Sequence, residues 1–202
     1  MIDFNLYLIT DRKISGNCLA AVEEALRGGV RAVQLREKDL KVRELLHMAY
    51  QMRELTERYG ARLFINDRVD VAIAVEADGV HLGQNSIPPW AVKRIAGELL
   101  IGVSTHSLEE AIEAERGGAD FITFGPVFYT PSKAGYGAPL GRDMLKKVSS
   151  TISIPVFAIG GIKPEDIKGI RDSGARGVAV ISGILGARDI REATEKYLRS
   201  LI

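Results

Sequence analysis

Cysteine is almost absent: Cys18 is the only one in 202 residues. A lone cysteine excludes an intrachain disulfide, so a reducing, cytoplasmic setting is expected. Long apolar runs are missing too, and nothing approaches the roughly 20 residues that a membrane-crossing helix needs. The opening stretch MIDFNLYLITDR has no basic segment ahead of a long apolar one, and it is expected to be a strand rather than a signal peptide. Neither sign of charge is in excess. With 27 Lys and Arg against 26 Asp and Glu the formal net charge is +1. Neither nucleic acid nor an anionic membrane is therefore expected as a partner, and any electrostatic specialisation must be local. Aromatic residues make up only 6% of the chain, so Val, Ile, Leu and Ala are expected to fill most of the core.

What is present is an alternation. Short, nearly continuous apolar runs recur at Phe4–Ile9, Ala32–Arg36, Arg62–Asn66, Gly79–Leu82, Leu100–Ser104, Phe121–Gly125, Pro155–Ile159 and Gly177–Ile181. Such runs read as strands buried on both faces of a parallel sheet. Helical periodicity fills the gaps: Leu19, Val22, Ala25 and Leu26 share one face, and Leu45, Leu46, Ala49 and Met52 share another. Ser107 with Glu110 predicts a capping box, Gly117-Gly118 a helix stop, Pro164 a first helical turn and Gly174 a helix end. Eight strands alternating with about eight helices in some 200 residues favour closure over an open sheet. The expectation is the α/β class, one domain over residues 1–202 folded as a single (β/α)8 TIM barrel.

In such a barrel the functional residues sit at the carboxyl ends of the strands. After the second strand, Gln34, Arg36 and Lys38 alternate and so share a face, either presenting an amide and two cations to a ligand or forming a solvated charge run into the next helix. Asn66 and Asp67 end the third strand; they suit Mg2+ and a phosphate oxygen, or Asp67 simply caps the next helix. His81 in an apolar strand reads more readily as a hydrogen-bonded core residue than as a catalyst, and no histidine spacing forms a metal motif. Ser104, Thr105 and His106 end the fifth strand and either bind a ligand or cap a helix. The long loop after the sixth strand carries Thr130, Ser132 and Lys133, suited to phosphates. Gly160-Gly161 after the seventh strand and Ser182-Gly183 after the eighth match a backbone phosphate cup, although glycine also serves turn sterics. Two separable anion sites result. They suggest either two phosphorylated substrates being joined or one bisphosphate.

The stretches QLREK, FINDRVDVA, GVHLGQ, IGVSTHS, FGPVFYTPSK, IPVFAIGGI and GVAVISGI, in register from Tyr7 to about Ile184, resemble the thiamine phosphate synthase family. The resemblance implies a (β/α)8 barrel, Mg2+ as cofactor and small phosphorylated substrates. The reaction it implies joins hydroxymethylpyrimidine pyrophosphate to thiazole phosphate, releasing pyrophosphate. Gln34 would then contact the pyrimidine. Arg36, Lys38, Asn66 and Lys133 would hold the pyrophosphate, and Asp67 would bind Mg2+. Thr130, Ser132, Gly161, Ile181 and Ser182 would surround the thiazole phosphate, with Ser104 near the reacting centre; Ser104, Lys133 and Arg36 would serve catalysis.

One departure stands out. The family pattern Gly-Gln-x-Asp, whose Asp is a second Mg2+ ligand, reads Gly83-Gln84-Asn85-Ser86 here. Either Asp67, pyrophosphate and water hold the metal, or synthase activity is weak or lost. The related TenI-like thiazole tautomerases use a His in the loop after the sixth strand, where this chain has Pro126; the complete cation and hydroxyl sets favour the synthase. A non-catalytic phosphate-ligand binder is the remaining alternative. Exposed apolar helix faces are compatible with a homodimer, but nothing specifies one.

Overall fold

The computed structural model describes residues 1–130 and 138–202. Eight parallel strands close into a barrel in sequence order: β1 (Leu6–Ile9), β2 (Ala32–Leu35), β3 (Arg62–Asn66), β4 (Gly79–Leu82), β5 (Leu100–Thr105), β6 (Phe121–Phe124), β7 (Val156–Ile159) and β8 (Gly177–Val180), with β8 pairing back onto β1. The expected strands all form, most of them trimmed by one or two residues. The helices outside them among the described residues are α1 (Arg12–Ser15), α2 (Cys18–Arg27), α3 (Val42–Arg58), α4 (Val69–Ala74), α5 (Pro89–Ile95), α6 (Leu108–Arg116), α7 (Gly141–Thr151), α8 (Ile167–Asp172), α9 (Ser182–Leu185) and α10 (Ile190–Ser200). None is long and apolar enough to cross a membrane.

Alternation along each strand builds two cores. Leu6 and Leu8 of β1, and Leu63 and Ile65 of β3, point outward into an aliphatic layer completed by helix residues such as Val22, Leu26, Ala49 and Met52. Tyr7 and Phe64 point inward instead, and with Phe4, Phe121 and Phe157 they fill the barrel centre. Their rings meet mostly edge to face, with centroids 5.4 Å apart for Tyr7–Phe64 and for Phe64–Phe121. The composition-based expectation holds, since aliphatic residues make up most of the core; five aromatic residues gather on the barrel axis. Each buried ring of this size contributes on the order of 1.5–3 kcal/mol. Gly102 makes room for them, since a Cβ there would lie 2.5 Å from both His81 Nδ1 and Phe121 Cζ.

The amino ends of the strands carry buttresses rather than chemistry. Asp78 accepts the Leu63 backbone N–H at 2.8 Å and pairs with Arg53 at 2.7 Å. Asp120 accepts the Ile101 N–H at 2.7 Å and pairs with Lys93 at 2.9 Å. Helix ends follow their signals with one variation. The Ser107 hydroxyl caps the Glu110 N–H at 3.1 Å, but the Glu110 carboxylate reaches the His106 N–H rather than that of Ser107. Pro164 opens a single 3-10 turn, Pro164–Asp166, that runs into α8.

Candidate active site

At the carboxyl end of β2, Gln34 points into the barrel and is 1% exposed. Arg36 is half-buried and Lys38 exposed. The strand ends at Leu35, so the sheet no longer enforces alternation beyond it. Two anchors take over. The Arg36 N–H donates to buried Thr10 Oγ1 at 2.9 Å, and the buried Glu37 carboxylate accepts the Arg12 backbone N–H at 3.1 and 3.2 Å. Burial pushes the Glu37 carboxyl above its ordinary pKa, against the lowering effect of its hydrogen bonds from Thr10 and Arg12. The Arg12 guanidinium in turn pairs with Asp39 at 2.8 Å. The cationic loop is thus clamped to the segment after β1. Sequence reasoning missed Glu37 and Thr10. The one available signal was that Glu37 lies between two cations of one face and so points away from them.

Asn66 ends β3, half-buried beside His81 in the ladder. Asp67 is exposed with a φ of +66°, spanned by an Arg68 N–H to Asn66 carbonyl bond of 2.8 Å, while its own N–H donates to the His81 carbonyl at 2.9 Å. A non-glycine residue in this region is strained, and such strain persists where the surroundings impose it. The capping alternative fails: Arg68 is the N-cap residue of α4, with no side-chain cap bond.

Beneath the mouth lies a neutral polar floor. Gln34 Nε2 donates to Tyr7 Oη at 3.2 Å, Tyr7 Oη lies 3.4 Å from His81 Nδ1, and His81 Nε2 lies 3.0 Å from Ser104 Oγ. Thr123 Oγ1 closes the group at 3.4 Å from His81 Nε2. Burial, assisted by the nearby charge of Arg36, drives the His81 pKa down to about 3, so the ring is neutral. In the tautomer where the Tyr7 hydroxyl donates to Nδ1, the ring proton is on Nε2 and points at Ser104. In that tautomer Ser104 accepts from His81 and keeps its own hydrogen for a ligand. His81 is the hydrogen-bonded core residue that its sequence context suggests, yet it also sets the polarity of the floor.

The loop after β4 explains what Ser86 does. Its Oγ accepts the Gly83 N–H at 2.8 Å, and its own N–H returns to the Gly83 carbonyl at 3.1 Å. The hydroxyl closes a local turn. Among the described residues no group of three or more His, Cys, Asp or Glu side chains could hold a metal ion.

β7 and β8 lie across the mouth from β3 and β4. The chain leaving β6 runs along the turn after β7: the Val127 N–H donates to the Ile159 carbonyl at 2.9 Å and the Phe128 N–H to the Gly160 carbonyl at 3.0 Å. Gly161 has a φ of +64°, and a Cβ there would lie 2.3 Å from the Tyr129 carbonyl oxygen. Only glycine fits. Thr130 is half-buried at the end of this run, Ile181 packs onto the barrel interior, and exposed Ser182 opens α9. Ser132 and Lys133 lie outside the described residues. The structure therefore gathers Gln34, Arg36 and Ser104 around His81, sets Asn66 and Asp67 beside them, and keeps Gly161, Ile181 and Ser182 on the far wall.

A closed (β/α)8 barrel with such a rim defines a class: barrels that handle small, anionic ligands at the carboxyl ends of their strands. The family follows from comparison. The model of the family described as thiamine monophosphate synthase matches residues 6–184, and the chain belongs to that family. It is 42% identical over 204 residues to the thiamine-phosphate synthase of Chloroflexus aurantiacus, covering 100% of this chain and 94% of that one. It is 45% identical over 197 residues to the thiamine-phosphate synthase of Pyrococcus furiosus, covering 98% and 94% respectively. The solved structure of thiamine phosphate pyrophosphorylase from Pyrococcus furiosus matches with a TM-score of 0.91 at 43% identity, covering 98% of this chain and 95% of that one.

Proposed function

We propose that this chain is a thiamine-phosphate synthase. The observation that carries the reading, beside family membership, is a cationic wall standing over a neutral, hydrogen-bonding floor. Gln34 and Ser104 offer amide and hydroxyl groups to an aminopyrimidine, and Arg36 and Lys38 face its pyrophosphate. The C–O bond to pyrophosphate breaks, and both electrons leave with the oxygen. The pyrimidine methylene carries the positive charge until the thiazole ring nitrogen closes the new C–N bond. The task of the protein is to stabilise the leaving charge and place the nucleophile, with no strong base required. A His81 that stays neutral down to about pH 3 agrees with that division of labour. Gly161 and Ser182 hold the thiazole phosphate through backbone N–H groups on the far wall, with Thr130 and Ile181 around it; the family resemblance adds Ser132, which lies outside the described residues. The family resemblance assigns Lys133, outside the described residues, to the pyrophosphate with Arg36 and Asn66.

In this reading Mg2+ takes a single protein carboxylate. Asp67 offers one hard, exposed carboxylate at the rim, and Mg2+ characteristically completes its shell with substrate phosphates and water. When bound there, Mg2+ supplies neutralising charge to the pyrophosphate. Asp67 is its protein ligand in this reading, and the Ser86 hydroxyl is committed to its turn.

Purified protein given both substrates and Mg2+ is expected to form thiamine phosphate and pyrophosphate one to one, and neither product when either substrate is omitted. Product no greater than in an enzyme-free control overturns the reading. Pro126 does not favour a tautomerase, because it offers no titratable group where those relatives are expected to carry a His; the His106 ring nearby meets the Gly125 carbonyl.

A further inference from the structure

The two loops assigned to the thiazole phosphate come from different strands, and one hydroxyl touches both. Tyr197 lies on α10 and is 3% exposed. Its Oη donates to the Ile162 carbonyl at 2.8 Å, directly beyond Gly161. The same oxygen backs Gly183, where a Cβ would come within 2.2 Å of it and 3.1 Å of Cζ. Gly183 is otherwise exposed. Gly183, the residue after Ser182, therefore packs against the Tyr197 hydroxyl, and both residues line a surface cavity with Lys163, Glu165 and Arg188. Burial, with Glu165 and Asp166 nearby, raises the Tyr197 pKa to about 12, so the hydroxyl keeps its proton.

We propose that Tyr197 is a positioning residue for the phosphate end of the thiazole substrate, spacing the Gly160–Ile162 turn from Ser182-Gly183. The inference rests on the synthase reading for the identity of that substrate. A backbone phosphate site has no long side chains that can adjust. Its affinity depends on where two turns stand, and displacing either one misaims several N–H groups at once. Ile162 is itself buried, so without the hydroxyl its carbonyl loses its partner and the turn shifts to recover one.

The test compares wild type with Tyr197→Phe by calorimetric binding of thiazole phosphate and by steady-state kinetics. Loss of one buried hydrogen bond of this kind predicts about a tenfold weaker Kd and a matching rise in KM for thiazole phosphate. KM for the pyrimidine pyrophosphate, and kcat, stay within about twofold. Equal losses for both substrates indicate general loosening and overturn the proposal, as does an unchanged Kd. Gly183→Ala provides a second approach, because its new methyl collides with the Tyr197 hydroxyl. It should weaken thiazole phosphate binding likewise, and combining it with Tyr197→Phe should cost less than the two separate losses together. Strictly additive losses count against a shared contact. Wild type that binds thiazole phosphate but makes no product overturns the synthase reading alone. Normal turnover with Tyr197→Phe binding unchanged overturns this inference alone. Absence of thiazole phosphate binding by wild type overturns both.

Discussion

Single residues at the rim do two kinds of work, and Ser86 separates them. Its hydroxyl closes a turn through Gly83. An Asp at that position could make the same bond with one carboxylate oxygen and offer the other to a cation. Ser86→Asp is therefore expected to fold normally and to lower the Mg2+ concentration for half-maximal rate at least about threefold; an unchanged requirement places residue 86 outside the metal's reach. His81 gives a residue-scale prediction in pH. Its folded pKa of about 3 lies below the ordinary 6.5, so the unfolded chain takes up a proton first on acidification. Stability from this group is complete above about pH 6.5 and falls towards pH 3, by about 1.4 kcal/mol per pH unit between those limits. Glu37 acts with the opposite sign: its raised pKa gives stability that is present below its ordinary value and lost as pH rises through the folded one. Urea unfolding of wild type and His81→Gln at pH 7 and pH 4.5 cancels the Glu37 contribution. The variant should lose less stability over that interval, and equal losses would show that His81 is not buried neutral.

Individual elements were legible where their pattern is local. Runs such as LFIN and VAVIS specify strands because burial on both faces demands continuous apolar character. Periodic faces and glycine stops similarly mark α2, α3 and α6. The four-residue helices α1 and α9 left no periodic signal, because a single turn is too short to repeat one. Contacts between distant positions, including Glu37 with Arg12 and Tyr197 with Ile162, leave no local trace either. At this scale the amino ends of the strands should matter to stability alone. Asp78→Ala removes a charged partner from both the Leu63 N–H and Arg53. It is expected to cost about 2 kcal/mol in urea unfolding while leaving both KM values unchanged. A selective KM effect would mean that the two ends of the barrel are coupled.

For the whole molecule, closure was legible from counting: eight alternating units in about 200 residues leave little room for another architecture. The aromatic barrel centre was not, because composition reports how many rings there are but not where they gather. The candidate site was legible as strand ends divided into a cationic and a backbone anion site, and the structure adds the neutral floor of Gln34, Tyr7, His81 and Ser104 between them. That division is the central claim, and a crossed kinetic comparison tests it most directly. Initial rates are measured for Arg36→Ala and Gly161→Ala, varying each substrate in turn. Arg36→Ala should lower kcat/KM for the pyrimidine pyrophosphate by about a hundredfold and leave KM for thiazole phosphate within about threefold. Gly161→Ala, forced to carry a Cβ against the Tyr129 carbonyl, should show the reverse preference. Two variants that impair both substrates to the same degree would contradict the two-wall account.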